Sequence, residues 1–247
     1  MINSKILSKN NLSNFLLFLN LVLIILSLWF FQISDVDLQI QNYFFDFSTK
    51  SWRIDRSEPV KKFIFYQFPK IIFAILILII LPLCIFSFIN KKYKLANKKY
   101  DFLLIIIGLC LIPLIAGNVK KFTNIYCPNQ LEIYGGNKPY VKIFDDYPID
   151  FKQEKKGQCF PAGHAITGFS LYIFCFILYK KSQQIIVFLG VTILGWILGF
   201  YQILKGAHFI SDTLIAMLLC LFLAQVITKI YRQKIINIKK LLIKNLV

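Results

Sequence analysis

Residues 71–100 read IIFAILILIILPLCIFSFINKKYKLANKKY, which is twenty residues without a charge followed by a segment with five lysines. A helix of roughly 20 apolar residues crosses the hydrocarbon core of a bilayer, which is about 30 Å thick. Lysines beside a span mark its cytoplasmic end. The stretch therefore predicts a transmembrane helix and also its direction, with residues 91–100 on the cytoplasmic side.

The composition of the whole chain agrees with a membrane protein. Of the 247 residues, 57% are hydrophobic and only 17% are charged, which argues against a water-soluble globule. The 25 phenylalanines exclude a disordered chain. No period recurs along the sequence, which argues against a repeat protein.

Six windows of this kind occur, the last interrupted only by Asp212. We predict an all-α fold, a polytopic bundle of six transmembrane helices in a single membrane domain over residues 1–247. The predicted spans are about 12–33, 71–90, 102–119, 164–179, 185–204 and 207–228.

The distribution of charge orients these spans. The chain has 29 basic and 12 acidic residues, a net charge of +17. With both termini in the cytoplasm, the cytoplasmic segments hold 15 of the basic residues and only one acid, Asp101. Loops 35–69 and 118–163 then lie outside, and the tail 235–247 is predicted to be a cytoplasmic amphipathic helix. The basic excess is explained by topology and anionic lipid, so we expect no nucleic-acid partner.

His208 and Asp212 are the most informative polar pair. Asp212 is the only acid inside a predicted span, and it follows His208 by one helical turn, so their side chains share a face. A carboxylate that accepts the Nδ1–H of an imidazole leaves Nε2 as a free lone pair, which prepares a nucleophile. The alternative is a pair that only joins helices. Acids within a membrane are functional by default, which favours a site.

Further polar residues reach the same outer face. His164 ends the segment Cys-Phe-Pro-Ala-Gly-His (159–164) at the start of the fourth span, where Gly163 permits close approach of a ligand to the backbone. Lys120 and Lys121 end the third span, and Lys205 ends the fifth. Helix ends that bring two histidines, an aspartate and three lysines together predict an anion-binding site.

Two cysteines, Cys127 and Cys159, lie in the outer loops, whereas the other four lie in spans. We expect the outer pair to form a disulfide, because an oxidising compartment favours it. Closing a loop of roughly 30 residues stabilises a fold by about 3 kcal/mol.

A metal centre is the competing chemical interpretation. His164, His208 and Asp212 offer three ligands, and Asp145, Asp146 and Asp150 offer further carboxylates. The lysines at the helix ends would repel a divalent cation. We therefore expect no metal and no other cofactor.

The pattern resembles the membrane-bound type 2 phosphatidic acid phosphatase superfamily, whose signature is K-x6-R-P, P-S-G-H and S-R-x5-H-x3-D. Here the first block corresponds to Lys120 through Cys127-Pro128, and the second to Pro161-Ala162-Gly163-His164. The third corresponds to Tyr201-Gln202 followed by His208 and Asp212. The resemblance covers about residues 100–230.

Three positions depart from the signature. Cys127 and Gln202 stand where the family has arginine, and Ala162 stands where it has serine. Lys205 and Lys121 are the expected replacement cations, although lysine lacks the bidentate fork of arginine. In a bacterial branch that this sequence resembles, the cysteine pair ties the first block to the second.

The resemblance implies an enzyme that hydrolyses a phosphomonoester or diphosphate on a lipid headgroup, without metal, through a phosphohistidine. His208 is then the nucleophile, Asp212 orients it, and His164 is the general acid and base. Lys120, Lys121, Gly163 and Lys205 bind the phosphate. The implied substrate is a lipid phosphate of the periplasmic leaflet of a bacterial inner membrane, such as lipid A, undecaprenyl diphosphate or phosphatidylglycerophosphate.

Two other interpretations remain at this stage. A phosphotransferase would pass the same phosphoryl group to a second lipid instead of water. A non-catalytic lipid-binding or transport protein would need the cations but no nucleophile, and the missing arginines favour it. The His208–Asp212 spacing argues against it.

Overall fold

The computed structural model describes residues 2–55, 58–89 and 97–244, with side chains described between residues 11 and 237. Most of the predicted cytoplasmic segment 91–101 and the last three residues of the tail lie outside these ranges. The described helices are α1 (Ile2–Ile33), α2 (Val36–Tyr43), α3 (Pro59–Lys62), α4 (Phe68–Ile89), α5 (Lys99–Thr123), α6 (Gly163–Phe169), α7 (Lys181–Leu204) and α8 (Ile210–Lys244). An antiparallel hairpin of β1 (Phe45–Asp46) and β2 (Ser51–Trp52) follows α2.

Short π-helical and 3₁₀-helical segments lie between these α-helices. A π-helical turn, Phe63–Gln67, joins α3 to α4, so that Pro59–Ile89 is one continuous helix. A 3₁₀ helix, Ser170–Phe176, continues α6. Two short 3₁₀ turns, Pro128–Gln130 and Glu132–Tyr134, lie in the long loop between α5 and α6.

Five helical stretches within the described residues are long and apolar enough to cross a membrane. They are Asn11–Ile33, Pro59–Ile89, Lys99–Gln130, Lys181–Leu204 and Ile210–Asn237. The chain is therefore a mostly helical, multi-pass membrane protein. The predicted span 164–179 corresponds to a shorter apolar stretch, Gly163–Phe176. The predicted tail 235–247 begins within α8, whose backbone is helical as far as Lys244.

Helix α8 packs against α1, α5, α6 and α7, and it forms the centre of the bundle. The main buried cluster lies where these helices meet and includes Leu104, Leu109, Ile112, Phe169, Ile173, Ala216 and Cys220. Helices α6 and α7 come especially close at Gly168 and Gly195, where a β-carbon on Gly168 would lie 2.9 Å from the Cα of Gly195. Small residues of this kind let membrane helices approach closely.

A second, aromatic cluster covers one end of the bundle. Its buried members are Phe45, Tyr126, Leu131, Tyr134 and Phe209, with Trp52 and Tyr140 packed against them. These side chains come from the hairpin, the long loop and the short loop before α8. The cluster thus anchors Phe209, which directly follows His208, and fixes the short loop between α7 and α8.

Candidate active site

The five-residue loop 205–209 between α7 and α8 carries His208. The Nδ1 atom of His208 lies 2.9 Å from Oδ2 of Asp212, and the backbone N–H of Phe209 donates to the same oxygen at 3.1 Å. A carboxylate partner places the ring proton on Nδ1, so Nε2 keeps its lone pair. Burial lowers the pKa of His208, while the hydrogen bond and charge of Asp212 oppose that shift. The ring is therefore held in the neutral form that a nucleophile requires.

The backbone of this loop is fixed at Gly206. This residue has a φ of +67°, a conformation that favours glycine, and a β-carbon there would collide with the indole of Trp52. The carbonyl of Gly206 accepts the N–H of Asn129 at 2.9 Å, and the N–H of Ala207 donates to the carbonyl of Gln202 at 2.8 Å. The hairpin and the long outer loop thus both hold the loop that bears His208.

A disulfide lies beside the imidazole. Cys127 and Cys159 are joined, with their Cα atoms 5.0 Å apart. Sγ of Cys159 is 3.2 Å from Nδ1 of His208 and 3.0 Å from the carbonyl oxygen of Ala207. The disulfide therefore packs against Nδ1, the nitrogen that bonds Asp212, and not against Nε2.

His164 lies in the first turn of α6, at the same end of the bundle. The backbone N–H of Ala162 donates to the carbonyl of Asp212 at 3.0 Å, which ties the start of α6 to the start of α8. The ring of Tyr66, in the π-helical turn, lies 4.2 Å from that of His164. Nε2 of His164 is buried and has no hydrogen-bond partner among the described residues.

Lysines from three separate elements surround the histidines. Lys120, Lys205 and Lys70 all act electrostatically on His164, and the first two also act on His208. Nζ of Lys120 contacts the carbonyls of Gln158 and Cys159, each at 3.4 Å. A β-carbon on Gly163 would lie 3.1 Å from that same Nζ, so the glycine makes room for Lys120.

Lys70 is the residue that sequence reasoning missed. Its Nζ lies 4.0 Å from the centre of the Tyr66 ring, and Nζ of Lys205 lies 5.6 Å from it. In the sequence Lys70 only marks the border of a span, and nothing there indicates that a π-helical turn carries Tyr66 to His164. We call Lys70, Lys120 and Lys205 the lysine cluster.

The other predicted site residues are placed as follows. Lys121 is exposed, and no contact between described residues joins it to either histidine. Gln202 is buried, and its Nε2 has no partner in the described part of the chain. Gly163 begins α6 beside His164.

One set of possible metal ligands differs from the set predicted above. Cys127, Cys159 and His208 offer ligand atoms within 4.8 Å of one another. The two sulfurs are joined in the disulfide, however, and only a thiolate is a metal ligand of the usual kind. Of the predicted extra carboxylates, Asp145 accepts a hydrogen bond from Gln32 at 2.6 Å. The set of Cys127, Cys159 and His208 therefore does not fit a metal ion.

A buried histidine–aspartate pair, a second histidine and the lysine cluster thus lie together at one end of a helical membrane bundle. Residues 101–236, more than half of the chain, match the model of the PAP2 superfamily, and the chain belongs to that family. It is also similar to a lipid A 4'-phosphatase of Francisella tularensis subsp. novicida (strain U112). The two are 26% identical over 206 residues, which cover 81% of this chain and 89% of the relative. No solved structure matches.

Proposed function

We propose that the protein is an integral-membrane lipid phosphatase that hydrolyses a phosphomonoester or diphosphate on a lipid headgroup through a phosphohistidine. The observation that carries this proposal is the 2.9 Å contact between His208 and Asp212 beside His164 and the lysine cluster. Membership of the PAP2 superfamily and the similarity to a lipid A phosphatase support the same reaction class.

In the first step, Nε2 of His208 attacks phosphorus in line with the lipid oxygen. The N–P bond forms as the P–O bond to the lipid breaks, and Asp212 stabilises the imidazolium that develops. His164 gives its proton to the departing oxygen. A bound phosphate dianion adds negative charge beside His164, which favours the protonated ring that this step needs.

In the second step, water replaces the histidine on phosphorus. His164 takes a proton from the water, the N–P bond breaks, and inorganic phosphate leaves. His208 returns to its neutral form with the proton still on Nδ1. The two steps together consume one lipid phosphate and one water, and they need no other reactant.

The lysine cluster takes the place of the family arginines that are absent at Cys127 and Gln202. Lys120 and Lys205 are near both histidines, and Lys70 is near His164. Three ammonium groups stabilise the equatorial oxygens of the transferring phosphoryl group, which is the main catalytic requirement of this chemistry. Lys121 stays a predicted member of this set.

We propose that the site faces the periplasm, with both termini in the cytoplasm of a bacterial inner membrane. The asymmetry of lysine and arginine supports this orientation, and a disulfide beside the site suits an oxidising compartment. The stretch Gly163–Phe176 is the proposed sixth crossing. Seven α-helical and seven 3₁₀ residues extend about 25 Å, close to the thickness of the hydrocarbon core.

The substrate class follows from this position. A lipid phosphate of the periplasmic leaflet reaches the site with its tail still in the bilayer. Lipid A is the first candidate, because the similar Francisella protein is named a lipid A 4'-phosphatase. Undecaprenyl diphosphate and phosphatidylglycerophosphate present the same group.

Phosphate release by the detergent-purified protein tests the proposal. The substrates are lipid A, undecaprenyl diphosphate, phosphatidylglycerophosphate and phosphatidic acid, each with EDTA present. We expect release from at least one lipid, unchanged by EDTA and abolished in His208→Ala. Loss of activity in EDTA would contradict the metal-free mechanism. Transfer of phosphate to a lipid acceptor without release would identify a phosphotransferase.

A further inference from the structure

We propose that helix α2 holds the catalytic loop in position, with Asp37 and Gln41 as positioning residues on either side of it. Oδ1 of Asp37 accepts the backbone N–H of Ser211 at 3.0 Å, in the first turn of α8. Nε2 of Gln41 donates to the carbonyl of Ile203 at 2.9 Å, in the last turn of α7. The two contacts fix both ends of the loop 205–209.

Asp37 and Gln41 are suited to this role by their spacing and burial. They are one helical turn apart, so they share a face of α2. Their relative exposures are 8% and 0%, although both are polar. Burying a polar side chain destabilises a fold unless the side chain is hydrogen-bonded. Each of these two side chains forms a hydrogen bond with backbone that flanks the loop.

The contact made by Asp37 leads directly to the nucleophile. Ser211, which Asp37 holds, is followed in the chain by Asp212, and Asp212 bonds His208. A carboxylate that accepts from the first turn of a helix also satisfies one of its unpaired N–H groups. Asp37 thereby fixes the residue that orients the imidazole, without contact with the imidazole itself.

Helix α2 lies outside residues 101–236, the part that matches the family model. It belongs to the outer segment 35–69, to which the sequence alone assigns no role. A further bond ties α2 to the long loop, because the hydroxyl of Tyr134 donates to Oδ1 of Asn42 at 2.8 Å. Helix α2 is thus bonded to the long loop through Asn42, and to the residues that flank the catalytic loop through Asp37 and Gln41.

The charged and titratable groups around Asp37 come from two parts of the chain. Asp212 lies on α8, and Lys142, Tyr134 and Tyr140 lie on the long outer loop. Lys142 is itself paired with Asp35 at 2.9 Å. Burial raises the pKa of Asp37 to about 7, and the nearby charge of Asp212 adds to that shift. Because either protonation state offers an acceptor oxygen, the positioning contact needs an acceptor and not a charge.

Three variants of the full-length protein test the role. Asp37→Ala removes the acceptor, Gln41→Leu removes the donor at similar volume, and Asp37→Asn keeps an acceptor without the charge. Gln39→Leu, an exposed glutamine on the other side of α2, is the matched control. A misplacement of about 1 Å at a reacting group costs on the order of a hundredfold in rate.

We therefore expect kcat on the best lipid substrate to fall about tenfold or more in Asp37→Ala and Gln41→Leu. KM should stay within about twofold, because neither residue touches the substrate. Asp37→Asn and Gln39→Leu should keep kcat within about threefold of wild type. Wild-type kcat in both folded disruptive variants would overturn the proposal, and so would equal losses in Asp37→Asn and Asp37→Ala.

The kinetic arm rests on the proposed function, so a second readout is independent of activity. Amide hydrogen exchange of the segment 203–213 should be faster in Asp37→Ala and Gln41→Leu than in wild type and Gln39→Leu, with exchange in α5 unchanged. Unchanged exchange in this segment would overturn the role of α2. If wild type hydrolyses no lipid but exchange responds as expected, the proposed function fails and the role of α2 stands.

Discussion

Asp212 combines two tasks in one carboxylate oxygen. Oδ2 accepts from Nδ1 of His208 and from the N–H of Phe209, so the same atom orients the ring and closes the first turn of α8. The hydrogen bond from the N–H of Phe209 fixes the position of the carboxylate, and the carboxylate in turn fixes the orientation of the imidazole ring. The proposed nucleophile, His208, is therefore oriented by a residue only four positions away in the chain.

We predict that Asp212→Asn lowers kcat by about a thousandfold or more, with KM within about threefold. An amide still accepts a hydrogen bond, but it cannot stabilise the imidazolium that forms as phosphorus is attacked. Steady-state kinetics on the best lipid substrate measure the effect. Asp146→Asn is the control, since Asp146 is exposed and is a ligand only if the site holds a metal. A larger loss in Asp146→Asn than in Asp212→Asn would contradict the assignment.

The raised pKa of Asp37 predicts how the stability of the protein changes with pH. Its pKa is raised from 3.8 to about 7 in the folded protein. The folded state therefore binds the extra proton, and this contribution is fully present below pH 3.8 and lost as the pH rises through 7. We expect the melting temperature of wild type to fall more between pH 5 and pH 8 than that of Asp37→Asn. Parallel curves for the two proteins would contradict the raised pKa.

Local spacing decided which site residues were predictable. His208 and Asp212 are four residues apart in a helical pattern, so the sequence indicates their pairing, and the structure brings them together. Asp37 and Lys70 carry no such local signal, because their neighbours in space are distant in the chain. Long-range contact of this kind cannot be inferred from periodicity.

At the scale of elements, the loop 205–209 depends on the hairpin that covers it. Trp52 lies against Gly206, and the aromatic cluster continues from Trp52 through Phe45 to Phe209. Aromatic side chains bury large areas with fixed geometry, which suits a cover over a short loop. The hairpin thus limits the positions that the loop 205–209 can take.

We predict that Gly206→Ala destabilises the protein by about 1–2 kcal/mol or more, because a side chain at φ +67° is strained and its β-carbon meets Trp52. Phosphatase activity should fall with it. Gly190→Ala in α7 is the control, since a β-carbon there meets no other atom within 4 Å. Thermal unfolding and phosphate release are the measurements. Equal stability of the two variants would show that Gly206 is not constrained.

The sequence predicted elements best where hydropathy alone determines them. Charge-free windows locate five membrane helices, since length and apolarity are sufficient evidence in a bilayer. The segment 35–69 is predicted only as an outer loop, because no charge-free window of span length lies within it. Helix α2 and the hairpin form there through contacts with α7, α8 and the long loop. The change from α to 3₁₀ helix at Ser170 also has no signal in hydropathy.

For the whole molecule, the proposed orientation predicts which surfaces are accessible. Asp150→Cys in the outer loop should react with a membrane-impermeant maleimide in intact cells. Ser182→Cys, at the opposite end of α7 from the site, should react only after the membrane is opened. Wild type in parallel measures labelling of the native cysteines. The reverse pattern would place the site in the cytoplasm.

The proposed reaction of the protein depends on a covalent intermediate at His208. The most direct test is rapid acid-free quenching of a reaction with a lipid whose phosphate is radioactively labelled, followed by denaturing electrophoresis. We predict a labelled protein band that is stable to base, labile to acid and absent in His208→Ala. Phosphate release without a labelled band, or a band that persists in His208→Ala, would contradict the phosphohistidine mechanism.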